Sequence, residues 1–126
     1  MIILYINCSL FPFIELILSG RKTYETRNRN TLKSLIGKTV FLAQTGTGKR
    51  PVIYGSCTIS CLVKVTDKRT YNRYRKYTCI EKGSCFDWKS STKQKVLYSL
   101  DNIQRCKPFI LPDNVVRHGR IYCETV

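Results

Sequence analysis

Histidine and acidic side chains are scarce in this sequence of 126 residues, which has one histidine, His118, and eight acidic residues. The histidine lies between an arginine and a glycine, as in a turn, and no second histidine is available as a metal ligand. Of the seven cysteines only Cys57 and Cys61 are closely spaced, whereas a structural zinc site typically uses two such pairs. The odd cysteine count argues against a complete set of disulfides. We therefore expect no metal, no cofactor and reduced thiols, most of them buried as small apolar residues.

Long apolar runs are also lacking. A membrane-spanning helix needs about 20 consecutive apolar residues, and the apolar N-terminal segment is interrupted by Pro12 and Glu15. That segment has no basic start and no small-residue cleavage site of the kind found in secretion signals. No repeat, linker or low-complexity tract divides the chain. We therefore predict one domain, residues 1–126, in a cytoplasmic protein that is monomeric and does not contact a membrane.

Basic residues, by contrast, are abundant: 22 Lys and Arg give a net charge of +14 and a pI near 9.7. So much charge of one sign disfavours the compact state by self-repulsion, and it is commonly matched by a polyanionic partner. We expect RNA or another nucleic acid as that partner. Charge alone leaves three alternatives open: an anionic membrane surface, an acidic protein partner, and a basic protein that has no polyanionic partner.

Residues 20–27, GRKTYETR, follow an apolar run that extends from Leu10 to Leu18. Gly20 occupies the place of the glycine that ends many helices, where the backbone is left-handed. On the strand that follows, alternate residues face opposite sides, so Glu25 and Arg27 share one face. The segment predicts a polar site where a helix end meets a strand. The alternative is a solvated strand with a chance cluster of charges.

This segment resembles the signature of the ASCH domains, a family within the PUA-like superfamily. The family signature is an apolar helix followed by G-x-K-T-x-E-x-R, and its fixed positions are filled here by Gly20, Lys22, Thr23, Glu25 and Arg27. A weaker match lies in residues 98–112, which resemble the family's Y-x-x-x-N segment and the proline-framed run after it. The resemblance implies an α+β fold: a small mixed β-barrel of PUA-like type, with about five to six strands flanked by two to four helices.

The resemblance also implies a ligand-binding cleft between the first helix and the signature strand, with Lys22, Glu25 and Arg27 facing it and Arg21 and Thr23 beside them. These residue types suit a nucleic acid, because a lysine supplies a point charge and an arginine supplies a planar fork of donors for a phosphate or a base edge. The glutamate can accept from an exocyclic amine. The sequence therefore predicts an RNA-binding module. An internal ion-pair network that joins the helix to the barrel is the structural alternative.

A second activity also follows from the resemblance. Some proteins related to ASCH domains are amidohydrolases that remove an acyl group from N4 of cytidine, using a threonine nucleophile, a lysine and a glutamate. Lys22 matches the lysine, but Glu25 occupies the position of the threonine, and Thr23 and Thr26 are neighbours of that position and do not replace it. A glutamate can instead activate water, for example in RNA cleavage. The alternative function is thus a small hydrolase of a modified nucleoside or of RNA, with Lys22 and Glu25 as catalytic residues.

Basic residues outside the signature provide further candidate contacts to nucleic acid. Residues 45–50, TGTGKR, lack the spacing and the following helix of a phosphate-binding P-loop, so we interpret them as a basic hairpin loop. Residues 67–82 interleave basic residues with Tyr71, Tyr74 and Tyr77. That pattern suits phosphate contacts and base stacking, although an amphipathic helix that buries its tyrosines has the same spacing. The candidate contacts are Lys49, Arg50, Arg73, Tyr74, Lys76 and Arg117.

The remaining elements follow from hydrophobic spacing and turn residues. Ser9 is expected to cap the first helix, and Thr31 a short helix over residues 31–36 that Gly37 ends. Residues 92–106 are expected to be helical, and residues 117–120 to form a turn. Strands or extended segments are expected at residues 1–7, 22–27, 38–44, 52–65, 107–112 and 121–124.

Overall fold

The computed structural model describes all 126 residues and contains seven strands and three short α-helices. The strands are β1 (Ile2–Asn7), β2 (Tyr24–Arg27), β3 (Thr39–Thr45), β4 (Val52–Val65), β5 (Lys95–Ile110), β6 (Val115–His118) and β7 (Tyr122–Thr125). The helices are α1 (Phe13–Leu18), α2 (Lys68–Arg73) and α3 (Arg75–Thr78), and one 3₁₀ turn spans Lys33–Leu35. None of the helices has the length and apolar character that a membrane crossing would require.

All seven strands belong to one mixed sheet with the order β2-β5-β4-β3-β1-β7-β6. β1 pairs in parallel with β3, and the other pairings are antiparallel. The predicted fold is confirmed in its mixed sheet and its flanking helices. The predicted barrel closure is not found, because the edge strands β2 and β6 are not paired with each other. Register shifts along β3, β4 and β5 bend these strands and curl the open sheet.

Helix α1 covers the concave core of the curled sheet. Four of its six residues, Phe13, Ile14, Ile17 and Leu18, are buried, and they pack against residues of β1, β3 and β5. A helix of six residues is marginal by itself, so burial of its apolar side chains stabilises it, as its sequence predicts. Gly20 follows it with a φ of +82°, which confirms the predicted left-handed end.

Two predicted helix caps are wrong. Ser9 lies too far upstream of α1 to reach its first turn, and its N–H donates to Asn7 Oδ1 at 2.8 Å instead. Thr31 caps nothing, because the predicted helix over residues 31–36 is a single 3₁₀ turn with no side-chain cap. The buried residues of this segment, Leu32 and Leu35, are one turn apart, so a single turn is sufficient to bury both.

The predicted helix over residues 92–106 is also wrong, because most of these residues form strand β5. Val96, Tyr98 and Leu100 pack into the main core on one face of the sheet, while Leu97 packs with Val65 on the other. A strand buried on both faces carries apolar residues without simple alternation, so its spacing can imitate a helix. Pairing with β2 on one side and β4 on the other favours the strand.

Residues 67–82 are helical in two short pieces. Asp67 caps α2 by accepting the Thr70 N–H at 2.8 Å, and the second piece, α3, ends at Cys79, whose φ is +55°. Tyr71 is completely buried and packs against Trp88, with ring centroids 5.5 Å apart. Helix α2 therefore covers the outer face of the sheet and leaves most of its basic side chains in solvent.

Two further expectations need correction. The predicted turn over residues 117–120 begins two residues later, because Arg117 and His118 end strand β6, which has no buried residue and therefore no apolar signal. Only two of the seven cysteines, Cys57 and Cys123, are buried in the core. Burial raises the pKa of the Cys57 thiol to about 12, as befits a small apolar residue.

Candidate functional site

A cavity of about 390 Å³ is lined on one side by β1 and on another by β2. The rest of its wall comes from the start of α1, the end of β3, the segment between α3 and β5, the start of β5 and the turn between β6 and β7. The lining residues include Tyr5, Asn7, Phe13, Glu25, Arg27, Thr45, Ile80, Cys85, Phe86, Lys95 and Arg120. The two signature residues that were predicted to share a face, Glu25 and Arg27, are thus both part of one cavity.

Glu25 is the carboxylate of this cavity and is only 7% exposed. Its Oε2 accepts from Arg27 Nη2 at 3.1 Å, and its Oε1 accepts the Thr26 N–H at 3.1 Å. Lys22 Nζ lies 3.6 Å from Oε1. Burial raises the pKa of the Glu25 carboxyl group, but Arg27, Lys22 and the Thr26 amide together outweigh it, so the pKa is below its ordinary value. Glu25 is therefore an ionised acceptor at neutral pH.

Arg27 connects the two strands that line the cavity. Its Nη2 donates both to Glu25 and to the main-chain carbonyl of Tyr5, at 3.1 and 3.3 Å. Its Nε is buried and has no hydrogen-bond partner within the protein. A buried donor without a partner costs about 1–3 kcal/mol, whereas the Arg27 side chain as a whole remains 23% exposed at the cavity.

Lys22 is not part of the cavity lining. Its Nζ donates to the carbonyl oxygen of Thr78 at 2.6 Å and lies 4.8 Å from the centroid of the Phe13 ring, and the side chain is fully buried. Burial lowers the pKa of this ammonium, and the neighbouring Glu25, which raises it, only partly offsets that effect, so the pKa lies below its ordinary value. Lys22 thus lies behind Glu25, where it orients the carboxylate and connects the signature segment to the end of α3.

Aromatic side chains supply the apolar part of the lining. The rings of Phe13 and Phe86 both line the cavity and meet edge to face, with centroids 5.5 Å apart. Phe11 packs against both rings from outside the lining. The cavity therefore combines a carboxylate, a guanidinium and aromatic surface, which suits a flat, polar, uncharged group. No cluster of three His, Cys, Asp or Glu side chains in the chain could hold a metal ion.

The other two signature candidates lie outside the cavity. Thr23 connects three elements through its main chain: its N–H donates to the Tyr77 carbonyl at 2.8 Å, and its carbonyl accepts the Leu100 N–H at 2.9 Å. Arg21 is exposed at the helix–strand corner. We assign Thr23 a structural role from these contacts.

The candidates of the glycine-rich loop and of the helical pair also lie away from the cavity. Lys49 is exposed in the hairpin loop between β3 and β4. Arg50 donates to the Leu111 carbonyl at 3.0 Å and forms an ion pair with Asp113. The structure thus engages Arg50 within the protein and leaves Lys49 exposed.

On the α2–α3 surface, Arg73 and Lys76 are exposed, and the Tyr74 ring packs against Tyr24 with centroids 5.3 Å apart. This surface and the cavity are therefore separate features. The structure does not bring the two sets of candidates together.

Arg117 lies close to the cavity without lining it. Its Nη1 is 3.5 Å from the Tyr5 hydroxyl, and it lines a neighbouring cavity together with Arg120. Sequence reasoning missed Tyr5, Phe86 and Arg120. The first two lie in segments with no local polar pattern, whereas Arg120 belongs to the same Arg-His-Gly-Arg run as Arg117, which was a usable signal.

The sequence matches no protein-family model and no curated protein. Solved structures do match. The crystal structure of the ASCH protein from Zymomonas mobilis aligns with a TM-score of 0.70 at 22% identity and covers 87% of this chain and 73% of that one.

Two single-residue mutants of the same bacterial protein align similarly. Their TM-scores are 0.69 and 0.68 at 22% identity, and they cover 86% and 87% of this chain and 72% and 75% of theirs. The likeness extends over most of both chains although fewer than one residue in four is identical. The protein therefore has the ASCH fold, as the resemblance of its signature segment implied, although its sheet is not closed into the expected barrel.

Proposed function

We propose that this protein is an RNA-binding module that takes an unpaired nucleobase into the cavity between β1 and β2. One observation carries the proposal: Arg27 and Glu25 present a donor and an ionised acceptor side by side in the lining of the cavity. The likeness in fold to an ASCH protein supports the same function. The net charge of +14 supports a polyanionic ligand.

The chemistry of the lining matches the edge and the face of a base. A guanidinium donates to ring nitrogens or carbonyl oxygens, and a carboxylate accepts from an exocyclic amine. The Phe13 and Phe86 rings provide surface on which a base can stack. Only an unpaired base exposes both its edge and its face, and proteins that recognise RNA sequences mostly bind single-stranded loops and ends. We therefore propose single-stranded RNA as the preferred ligand.

The hydrolase alternative has less support. It needs Lys22 to reach the substrate, but the Lys22 side chain is fully buried and donates to the Thr78 carbonyl. It also needs Glu25 as a base, and a carboxylate whose pKa is lowered accepts a proton less readily. No histidine lines the cavity. We therefore do not propose a hydrolytic activity.

Fluorescence anisotropy with labelled single-stranded RNA, duplex RNA and single-stranded DNA, at several salt concentrations, tests the proposal. The central variant is Arg27→Ala. Its matched control is Lys38→Ala, which removes one exposed charge at the opposite end of β3 from Thr45, the β3 residue that lines the cavity. We expect single-stranded RNA to bind most tightly. Arg27→Ala should weaken it about tenfold or more, because hydrogen bonds to charged groups contribute about 1.5–3 kcal/mol.

Two outcomes would contradict the proposal. If Arg27→Ala and Lys38→Ala weaken binding equally, the RNA is attracted by net charge alone and no base enters the cavity. If the parent binds no RNA even at low salt, the protein is not an RNA-binding module. Circular dichroism of each variant checks that it is folded before its affinity is compared.

A further inference from the structure

We infer that the RNA crosses the cavity as a continuous strand, with its backbone phosphates held on two separate basic surfaces that adjoin the cavity on different sides. The ligand is then an internal nucleotide of a strand, and not a free nucleoside. This inference rests on the proposed function for the cavity itself and adds two phosphate-binding surfaces to it.

The first surface, which we name the turn surface, consists of Arg117 and Arg120 at the turn between β6 and β7. Both line a cavity of about 250 Å³. That cavity shares three lining residues, Tyr5, Thr45 and Arg120, with the central one. The two cavities therefore adjoin each other, and we refer to the adjoining cavities together as the groove.

The second surface, which we name the loop surface, consists of Arg29, Lys89 and Lys93. These residues line a cavity of about 630 Å³ beside the segment that precedes β5. It shares Asn28, Cys85 and Lys95 with the central cavity. These three residues differ from the three that the central cavity shares with the cavity of the turn surface. The loop cavity therefore adjoins the central cavity on a different side.

Both surfaces keep their positive charge. Arg29, Lys89, Lys93, Arg117 and Arg120 form no ion pair, and all are exposed.

The acid that lines the loop cavity, Asp87, is already neutralised. It pairs with Arg75 at 2.9 Å and accepts the N–H groups of Gly83 and Trp88. Lys95 is buried and donates to the Phe86 carbonyl at 3.0 Å, so we assign it a structural role. The exposed cations are therefore available to an anion.

The distribution of charge along the groove determines which part of a nucleotide fits where. The central cavity offers aromatic surface and the acceptor oxygens of Glu25, whose charge Lys22 and Arg27 balance, and these groups suit an uncharged base. The turn surface and the loop surface contain only available cations, which suit phosphates. A base in the centre is joined to a phosphate on each of its two sides only when it lies inside a strand. A nucleoside has no phosphate, so it occupies only the central cavity.

A length series tests the inference. We would measure the affinity of a nucleoside, its monophosphate and single-stranded RNA hexamers for the folded parent protein and three double variants. Arg117→Ala/Arg120→Ala removes the turn surface and Lys89→Ala/Lys93→Ala most of the loop surface. Lys38→Ala/Lys107→Ala is the control, since it removes two exposed charges that line none of the three cavities.

We expect each surface variant to lower the affinity for the hexamer several-fold more than the control does. Each should also reduce the slope of log affinity against log salt, by about 0.7 for each phosphate that the variant no longer binds. The affinity for the nucleoside should be unchanged in both.

Two results would overturn the inference in distinguishable ways. Arg27→Ala is measured beside the three double variants. If it weakens binding of the hexamer but neither surface variant has a larger effect than the control, the base-binding cavity stands and the strand path is wrong. If Arg27→Ala has no effect either, the proposed function fails as well.

Discussion

Arg27 in β2 donates to the carbonyl oxygen of Tyr5 in β1 at 3.3 Å, although three strands separate β1 from β2 in the sheet. The sheet must curl to bring the two strands this close. One side chain therefore joins the strands across a gap where no main-chain pairing occurs. The cavity lies at this junction, so Arg27 both lines the cavity and holds its two walls together.

Glu25→Gln should destabilise the protein strongly. The substitution leaves Lys22 and Arg27 beside each other without a negative charge, and Lys22 is fully buried. Removal of one partner from a buried ion pair costs about 3–5 kcal/mol. Chemical denaturation measures the loss. Glu15→Gln is the matched control, because it breaks the exposed pair with Arg105 and should change the free energy of unfolding little. Equal effects of the two substitutions would mean that Glu25 is not buried among cations.

The same carboxylate predicts how stability depends on pH. The pKa of Glu25 lies below its ordinary value of 4.5 in the folded state, so folding favours the ionised form. Its contribution is present above pH 4.5 and is lost as the pH falls through the folded pKa. Lys22 and Arg27 are the charged groups that face it. The free energy of unfolding, measured from about pH 6 to about pH 3, should fall more steeply for the parent than for Glu25→Gln. Parallel curves would contradict the lowered pKa.

Lys22→Met should separate stability from RNA binding. The substitution removes the donor to the Thr78 carbonyl and one of the two cations beside Glu25, and we expect it to lower the free energy of unfolding by about 1–3 kcal/mol. Because the Lys22 side chain is not part of the cavity lining, the affinity of the folded variant for single-stranded RNA should stay within about twofold of the parent. An affinity as low as that of Arg27→Ala would show that Lys22 contacts the RNA.

Tyr71 tests whether the tyrosines of residues 67–82 belong to the core or to a nucleic-acid surface. Its ring is completely buried and its hydroxyl has no hydrogen-bond partner. Tyr71→Phe should therefore be close to neutral or slightly stabilising, since it removes an unpaired buried group, while Tyr71→Ala should cost about 3–5 kcal/mol. Thermal and urea unfolding would measure both. Tyr77→Ala, at a position 41% exposed, is the control. A loss of RNA affinity without a loss of stability in Tyr71→Ala would indicate base stacking instead.

Much of the signature region could be predicted from the sequence because its structure depends on neighbouring residues. The apolar spacing of α1, the left-handed Gly20 and the shared face of Glu25 and Arg27 all arise within about 15 residues. These are the elements for which local spacing and turn chemistry are sufficient.

The rest of the site depends on contacts between distant segments. Strand β5 was predicted as a helix because its burial on both faces concealed its alternation, and only its pairing with β2 and β4 fixes it as a strand. Tyr5, Phe86 and Arg120 enter the cavity from three separate parts of the chain. No local sequence pattern predicts that they meet, because the curl of the sheet brings them together.

The pairing of β1 with β7 has a consequence for the order in which the molecule assembles. It joins residues 2–4 to residues 122–124, so β1 is synthesised more than 100 residues before this partner. Contacts between such distant residues form slowly, since a long loop must close before they gain any stability. On the ribosome β1 can first pair only with β3. The turn that carries Arg120 reaches the groove last, so a nascent chain cannot bind RNA in the proposed way until its synthesis has passed β7.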